Sequence, residues 1–232
     1  MKNNKVFIIS AIVLVIILVS NVLPGGAGVH NFTGERVLYL IKPSGKAEYH
    51  DFGVVESSGV KINVITFKTK VLFFEDTEKI YSDPDSLLPL KVERTISTFW
   101  VKEYITEEYD QKNFSVTLRK FKGDKIISEQ ITKTNGPIYN AITLPFYLRR
   151  SEGFKIGWRF TARVPNEFKI ELVSIESIKV PAGTFQAYHF ISTPDKFEIW
   201  INKDNPRVPL KIQGKGVFGY VLLMKECALP DN

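Results

Sequence analysis

Cysteine is nearly absent from the sequence, since Cys227 is the only one among 232 residues. A single thiol excludes a disulfide within the chain and a cysteine-based metal cluster. Because no histidine is paired with Cys227 in the sequence, we interpret it as an unreactive thiol near the C-terminus rather than a nucleophile.

Histidine is scarce as well, and the three that occur, His30, His50 and His189, are scattered along the chain. The sequence has no nucleophile elbow, no Gly-rich phosphate loop and no HExxH or EF-hand motif. The adjacent carboxylates Glu107 and Glu108 would point to opposite faces of a strand, which is wrong for shared acid–base chemistry. We therefore predict that the protein is not an enzyme and has no catalytic residues, metal or cofactor.

One enzymatic alternative stays open, a hydrolase that uses His189. This residue alternates with Ala187 and Ile191, a set that we predict to face the core. A histidine in that position is typically hydrogen-bonded and structural. A cluster of His189 with a carboxylate and a hydroxyl would favour the hydrolase instead.

Clusters of charge of one sign are missing too. The chain has 31 Lys and Arg against 25 Asp and Glu, a formal net charge of +6. Basic and acidic residues are interleaved at strand spacing, as in Lys68, Lys70 and Glu75, which is typical of a solvated sheet face. Because no basic cluster contains interleaved stacking aromatics, we predict no nucleic-acid partner.

Only one long hydrophobic run occurs, the 18 uncharged residues from Val6 to Leu23. Lys2 and Lys5 precede it and Pro24 follows, as in an export signal. The run is longer than a usual signal core and at the short edge of a spanning helix. We predict that residues 1–27 are a cleaved signal peptide or a retained hydrophobic membrane helix. Either way the body would lie outside the cytoplasm, in the periplasm or tethered to the inner membrane.

Helical periodicity is rare after this leader, and alternation with a period of two residues dominates. Phe168, Ile170 and Leu172 form one such set, and a turn at Val180-Pro181-Ala182-Gly183 follows, because Pro181 presets φ and Gly183 tolerates φ > 0. We predict a single, mainly β domain over residues 34–226, a large curved antiparallel sheet or open β-barrel preceded by the hydrophobic helix.

Three other segments give local expectations. Residues 47–56 and 60–70 read as a hairpin, and Lys122-Gly123-Asp124-Lys125 as the turn of another. The run from Val71 to Phe74 is apolar throughout, which favours a strand covered on both faces or a bend. Residues 138–150 predict one short helix, interrupted near Pro145, that covers an open end of the sheet.

An ordered set of short motifs spans nearly the whole body: Gly34-Glu35-Arg36, Asp83-Pro84 with Leu87-Leu88-Pro89-Leu90, Pro181-Ala182-Gly183-Thr184-Phe185, Trp200, Arg207-Val208-Pro209-Leu210-Lys211-Ile212 and Gly219. With these motifs the chain resembles a family of exported bacterial proteins, domain-of-unknown-function family 3108. The resemblance implies a β-rich extracytoplasmic protein, distantly similar to the open half-barrels that carry lipids or lipoproteins across the periplasm, without established catalytic residues.

The remaining feature that bears on function is the large number of aromatic and apolar residues in the C-terminal strands. In the last predicted strand, Val221 and Leu223 lie on one face and Tyr220 lies on the other, so both faces are apolar there. We therefore expect either that another part of the protein covers the second face or that the sheet forms an apolar concave site. The predicted ligand-lining residues are Trp100, Phe146, Trp158, Trp200, Phe218 and Tyr220.

Two non-enzymatic functions follow. The first is a cell-envelope protein that binds a lipid or lipoprotein in the apolar concave face. The alternative is a protein-interaction module that uses an exposed edge strand. The sequence leaves the oligomeric state open, and it predicts a membrane contact through the N-terminal segment if that segment is not cleaved.

Overall fold

The computed structural model describes residues 33–57, 59–216 and 219–229, and this part of the chain folds into fourteen strands and one short helix. The predicted β class and the single short helix are confirmed, whereas the predicted N-terminal hydrophobic helix lies outside the described residues. The strands are β1 (Arg36–Lys42), β2 (Lys46–Ser57), β3 (Val60–Val71), β4 (Phe74–Ser82), β5 (Pro89–Ser97), β6 (Lys102–Asp110), β7 (Ser115–Lys122), β8 (Lys125–Lys133), β9 (Arg159–Val164), β10 (Asn166–Val180), β11 (Gly183–Thr193), β12 (Phe197–Asn202), β13 (Pro209–Gly214) and β14 (Tyr220–Ala228), and the helix is α1 (Leu144–Leu148).

All fourteen strands belong to one open antiparallel sheet, in the order β8-β7-β6-β5-β4-β3-β2-β1-β14-β13-β12-β11-β10-β9. The first and last strands lie side by side in its middle, with Arg36 opposite Ala228 and Lys42 opposite Val221. Every other neighbour in the sheet is also a neighbour in sequence. The sheet therefore consists of two meanders that are joined at β1 and β14.

The hairpin between β10 and β11 forms where the sequence predicts it. Val180 pairs with Gly183, whose φ of +142° few other residues adopt. The amide of Ala182 in this turn donates a hydrogen bond to the carbonyl oxygen of Met224 at 3.2 Å. The tip of the hairpin thus bends back onto β14 in the middle of the sheet.

The apolar run from Val71 to Phe74 is a tight turn and not a strand covered on both faces. Val71 pairs with Phe74, and the two residues between them, Leu72 and Phe73, are exposed at the tip of the hairpin. Of the two expectations for this run, the covered strand is wrong and a change of chain direction is found, because hydrophobicity alone does not separate a buried strand from an exposed apolar turn.

The long connection between β8 and β9 contains α1, which fills the space inside the curved sheet. Phe146 stacks on Tyr49 of β2 with a distance of 3.6 Å between ring centroids. Leu144 and Leu148 pack with Phe160, Ile170 and other residues of the β9–β12 half in a second core cluster. The sequence predicts that this segment covers an open end of the sheet, and the structure places it between β2 and the β9–β12 strands.

Two polar contacts fix the connection in place. The Arg149 guanidinium forms a two-pronged ion pair with the buried Glu35 carboxylate, with N–O distances of 2.7 and 2.5 Å. The Gln111 side chain bonds to both the amide and the carbonyl oxygen of Ile138, at 3.1 and 2.8 Å. These contacts hold α1 against the start of β1 and against the end of β6.

Within the described residues, helices that are both long and apolar enough to cross a bilayer are absent. The predicted leader, residues 1–27, lies outside the part of the chain that the structure describes.

Candidate functional site

Strand β8 is an open edge of the sheet. Its pairing among the described strands is with β7, and its side chains are exposed along almost the whole strand. Three of these exposed side chains, Ile126, Ile127 and Ile131, are large and apolar. Natural proteins usually protect an edge strand with charge, proline or a covering segment, because its unpaired amides and carbonyls are a template for another strand.

The opposite edge of the sheet is covered by the protein itself. Ile138 forms a parallel bridge with Arg163 of β9, and the Tyr139 amide donates a hydrogen bond to the Arg163 carbonyl oxygen at 2.7 Å. The connection that follows β8 thus pairs with the β9 edge at Ile138, whereas no described strand pairs with the outer side of β8.

Ion pairs on one face brace the open edge. Arg119 of β7 contacts Glu129 of β8 at 2.5 Å and Glu108 of β6 at 2.6 Å, which links three neighbouring strands. The aromatic rings of Tyr104 and Phe121 also meet across β6 and β7, with 5.4 Å between centroids. The β6–β8 region therefore presents a braced edge to solvent.

A cluster of buried carboxylates lies on the inner face of β4–β6. Asp76 and Glu78 of β4 both face Arg94 of β5, whose guanidinium approaches Asp76 at 2.5 Å and Glu78 at 3.5 Å. Glu107 of β6 accepts a hydrogen bond from the Tyr109 hydroxyl. The cluster thus has three carboxylates, those of Asp76, Glu78 and Glu107, and a single guanidinium, that of Arg94, so acidic groups outnumber basic ones.

Burial has a strong effect on one member of this cluster. It raises the pKa of Glu78 to about 7, and the nearby Arg94 opposes the rise. The side chain of Asn140, from the segment before α1, hydrogen-bonds to Glu78. Burial also raises the pKa of Tyr220, and the charge of Glu78 adds to that effect, so Tyr220 lies beside the cluster. Glu78 is thus a buried carboxyl that titrates near neutral pH.

The structure brings His189 together with two carboxylates and a hydroxyl. His189 Nε2 lies 2.9 Å from Glu198 Oε2, and its Nδ1 lies 3.4 Å from Ser174 Oγ and 3.5 Å from Glu176 Oε1. The imidazole stacks on Trp200 with 4.1 Å between ring centroids. This is the cluster that the hydrolase alternative requires, and no sequence motif reveals it because its members come from three strands.

The prediction that Ala187, His189 and Ile191 face the core is confirmed for Ala187, which is fully buried in the first core cluster, while His189 and Ile191 are only partly buried. Tyr188 and Phe190 are buried on the other face of the strand. Both faces of β11 carry apolar residues, so period-two alternation does not decide which of them packs more deeply.

Most of the polar atoms in the His189 cluster already have partners within it. Ser174 Oγ donates to Glu176 at 3.3 Å, and Trp200 Nε1 donates to the other oxygen of that carboxylate at 2.7 Å. Burial opposes the charge of Glu198, but hydrogen bonds from Lys215 and His189 lower its pKa overall. Ser174 pairs with His189 across β10 and β11, directly after the register shift between Leu172 and Ser174.

Groups of three or more His, Cys, Asp or Glu side chains arranged to hold a metal are not found within the described ranges. This applies to both clusters described above.

The predicted ligand-lining residues are divided between different places. Phe146 and Trp200 are buried in the first core cluster, and Tyr220 packs against it from a partly buried position. Trp158 is partly buried against the second cluster, where its ring meets Phe154. Trp100 lies far from all of them, 89% exposed in the turn between β5 and β6. The sixth, Phe218, lies outside the described residues.

A family model described as a protein of unknown function (DUF3108) matches residues 47–225 of this chain. The chain belongs to this family. The predicted resemblance to DUF3108 is therefore confirmed, although its first motif, Gly34-Glu35-Arg36, precedes the matched residues. No curated protein matches the chain.

The DUF3108 motifs mostly occupy structural positions. Asp83 Oδ1 accepts a hydrogen bond from the Ser86 amide at 2.7 Å in the turn between β4 and β5. Leu210 is fully buried, and the Pro209 carbonyl oxygen accepts a hydrogen bond from the Tyr39 hydroxyl at 2.9 Å. The motifs thus shape turns and the core, and none of them lies on β8.

Sequence analysis does not single out β8 as the open edge. Ile126, Ile127 and Ile131 are visible in the sequence, but the sheet order that makes β8 terminal depends on the pairing of β1 with β14. A long-range pairing of this kind has no local signal.

Proposed function

We propose that this DUF3108 protein is a non-catalytic binding protein of the cell envelope that recruits a partner protein by strand addition along β8. The observation that carries the proposal is the contrast between the two sheet edges. The chain pairs with β9 through its own segment at Ile138, whereas no other described strand pairs with β8, which exposes three isoleucines. An added strand would satisfy the free backbone groups of β8, and its side chains would meet those isoleucines.

The chemistry of β8 defines the kind of partner. Lys125 and Lys133 stand at its two ends, with the exposed isoleucines between them. The complementary segment is an extended chain with apolar residues at alternate positions and acidic residues at its ends.

The non-catalytic part of the proposal rests on the His189 cluster. Ser174 is shared between His189 and Glu176, and Glu198 is shared between His189 and Lys215. Side chains on neighbouring strands that hydrogen-bond to one another in this way support a structural role. Covalent labelling of Ser174 by a fluorophosphonate probe would contradict it.

Binding of a lipid or lipoprotein, the first expectation from the sequence, is a second candidate with a different location. Phe146 and Trp200, predicted to line an apolar concave face, pack against protein instead. The observation that favours lipid contact is the exposure of Trp100 at a turn.

Site-specific photo-crosslinking tests the strand-addition proposal. A photoreactive phenylalanine analogue is placed at Ile131 or Lys133 in the full chain, expressed in its own cells. We expect an adduct with the same partner from both positions. The two crosslinks should fall on partner residues that are two positions apart in one extended segment, since neighbouring strands keep register.

The matched control is Val60, an exposed residue at the start of β3 on a paired strand. The analogue at Val60 should give no such adduct. A charge introduced by Ile127→Lys should remove the adduct formed from Ile131, because charged residues block edge pairing. Crosslinks that lie out of register, or that persist in the Ile127→Lys variant, would overturn the proposal.

A further inference from the structure

Two neighbouring turns at one end of the sheet expose large apolar side chains. The turn between β3 and β4 presents Leu72 and Phe73, and the turn between β5 and β6 presents Phe99, Trp100 and Val101. The rings of Phe73 and Phe99 meet with 4.4 Å between centroids, so the two turns form one surface. We call these five residues the apolar tip.

The tip is held in place by its own backbone. The Thr98 amide donates a hydrogen bond to the Val101 carbonyl oxygen at 2.9 Å, and the Thr98 hydroxyl oxygen accepts a hydrogen bond from the Val101 amide at 3.2 Å. The turn is thus closed by hydrogen bonds while Trp100 projects into solvent. A contiguous apolar patch that stays exposed marks a surface for a partner or a membrane.

Leu72 is poorly suited to its turn on conformational grounds. Its φ is +49°, in the left-handed region where Gly and Asn are favoured and most other residues are strained. Two-residue hairpin turns strongly prefer Gly, Asn or Asp for this reason. Leu72 is also 76% exposed, so neither backbone conformation nor burial accounts for a leucine there.

Lysines surround the apolar tip. Across the four turns at this end of the β1–β8 half, six lysines accompany three acidic residues, an excess of positive charge. The opposite end of the same half has four acidic residues and three lysines in and beside its turns. The residues at the tip end are Lys42, Lys46, Lys70, Lys102, Lys122, Lys125, Glu75, Glu103 and Asp124, and those at the other end are Glu56, Lys61, Asp83, Asp85, Asp110, Lys112 and Lys133.

We propose that the apolar tip inserts into the surface of an anionic lipid bilayer. Aromatic and aliphatic side chains partition into the boundary between headgroups and acyl chains, and tryptophan is favoured at that depth. Lysines beside them are attracted to anionic headgroups. The charge difference between the two ends orients the β1–β8 half with the tip toward the bilayer and the acidic end away from it.

Trp100 is a built-in reporter for this contact. The full chain is reconstituted in vesicles of phosphatidylcholine alone or with phosphatidylglycerol, with and without brominated acyl chains. We expect tryptophan emission to shift to shorter wavelength and to be quenched by bromine when phosphatidylglycerol is present. Trp100→Phe should remove this quenchable component, since Trp200 is buried and Trp158 is partly buried.

Variants at the tip separate lipid contact from folding. Leu72→Asn combined with Phe99→Ser should remove most of the quenching of Trp100. Leu72→Asn alone should leave the urea midpoint unchanged or raise it, because Asn tolerates φ > 0. Val60→Ser, at an exposed position on the opposite end of β3, is the matched control and should change neither quantity.

Three results would overturn the proposal. The first is that Trp100 is not quenched in phosphatidylglycerol vesicles, which is the result expected if the tip binds a protein. The others are equal quenching in vesicles of phosphatidylcholine alone and full quenching of Trp100 in the Leu72→Asn, Phe99→Ser variant. The tip variants leave Ile131 and Lys133 in place, so the crosslinking experiment on β8 is decided independently.

Discussion

Glu78 is the residue at which burial and charge conflict most directly. It shares Arg94 with Asp76 on the inner face of β4 and β5, and burial raises its pKa to about 7 from a usual value of 4.5. The folded state therefore keeps a proton that the unfolded chain gives up above about pH 4.5. The stability that this proton contributes is fully present below that pH and is lost as the pH rises through about 7.

We predict that Glu78→Gln removes this pH dependence. The free energy of unfolding of the wild-type protein should fall between pH 5 and pH 8 by on the order of 2 kcal/mol through this one group. In the variant the corresponding fall should be absent. Urea denaturation at the two pH values measures the difference.

The control is Glu75→Gln, an exposed position on the same strand, which should leave the pH dependence of the wild-type protein intact. A Glu78→Gln variant that keeps the same slope would show that the carboxyl is already ionised in the folded state.

At the scale of elements, α1 depends on one buried ion pair for its place in the interior. Arg149, at the end of α1, is 1% exposed, and its partner Glu35 precedes β1. Removal of one member leaves the other charge buried without compensation, which is far more destabilising than the loss of an exposed pair.

We predict that Arg149→Met destabilises the protein by about 3 kcal/mol or more. Arg159→Met is the matched control, because Arg159 pairs with Glu171 on the surface, and its loss should cost no more than about 1 kcal/mol. Urea titrations followed by circular dichroism compare the two. Equal losses would mean that the Glu35 pair does not hold α1.

Local elements were predictable from the sequence, and their assembly was not. Pro181 and Gly183 specify the β10–β11 turn by their backbone preferences, and Gly123 and Asp124 do so for the β7–β8 turn. The depth at which His189 packs was not predictable, because β11 is apolar on both sides. The open edge and the apolar tip depend on which strands become neighbours, and this depends on contacts distant in sequence.

At the scale of the whole molecule, the two meanders share their central pair of strands. Met224 of β14 is buried opposite Tyr39 of β1, in a cluster that includes Ile65 of the β1–β8 half and Ala187 and Trp200 of the β9–β14 half. A defect there affects both halves, so we expect them to unfold together.

We predict that Met224→Ala lowers the free energy of unfolding by about 2 to 4 kcal/mol in a single transition. Tryptophan fluorescence and far-ultraviolet circular dichroism should give the same urea midpoint, before and after the substitution. Two separate midpoints in the variant would indicate that the halves are independent folding units.

The adjacency of β1 and β14 also has a consequence for chain connectivity. The sole pairing of strands distant in sequence within the described sheet joins positions 36 and 228, near the two ends of the described residues. A circular permutant that links these ends and opens at Glu152, in the exposed loop after α1, would turn all strand pairings into hairpins between successive strands. We expect this chain to fold to the native sheet faster, because β1 and β14 would then be neighbours in sequence and no long loop would have to close before they pair.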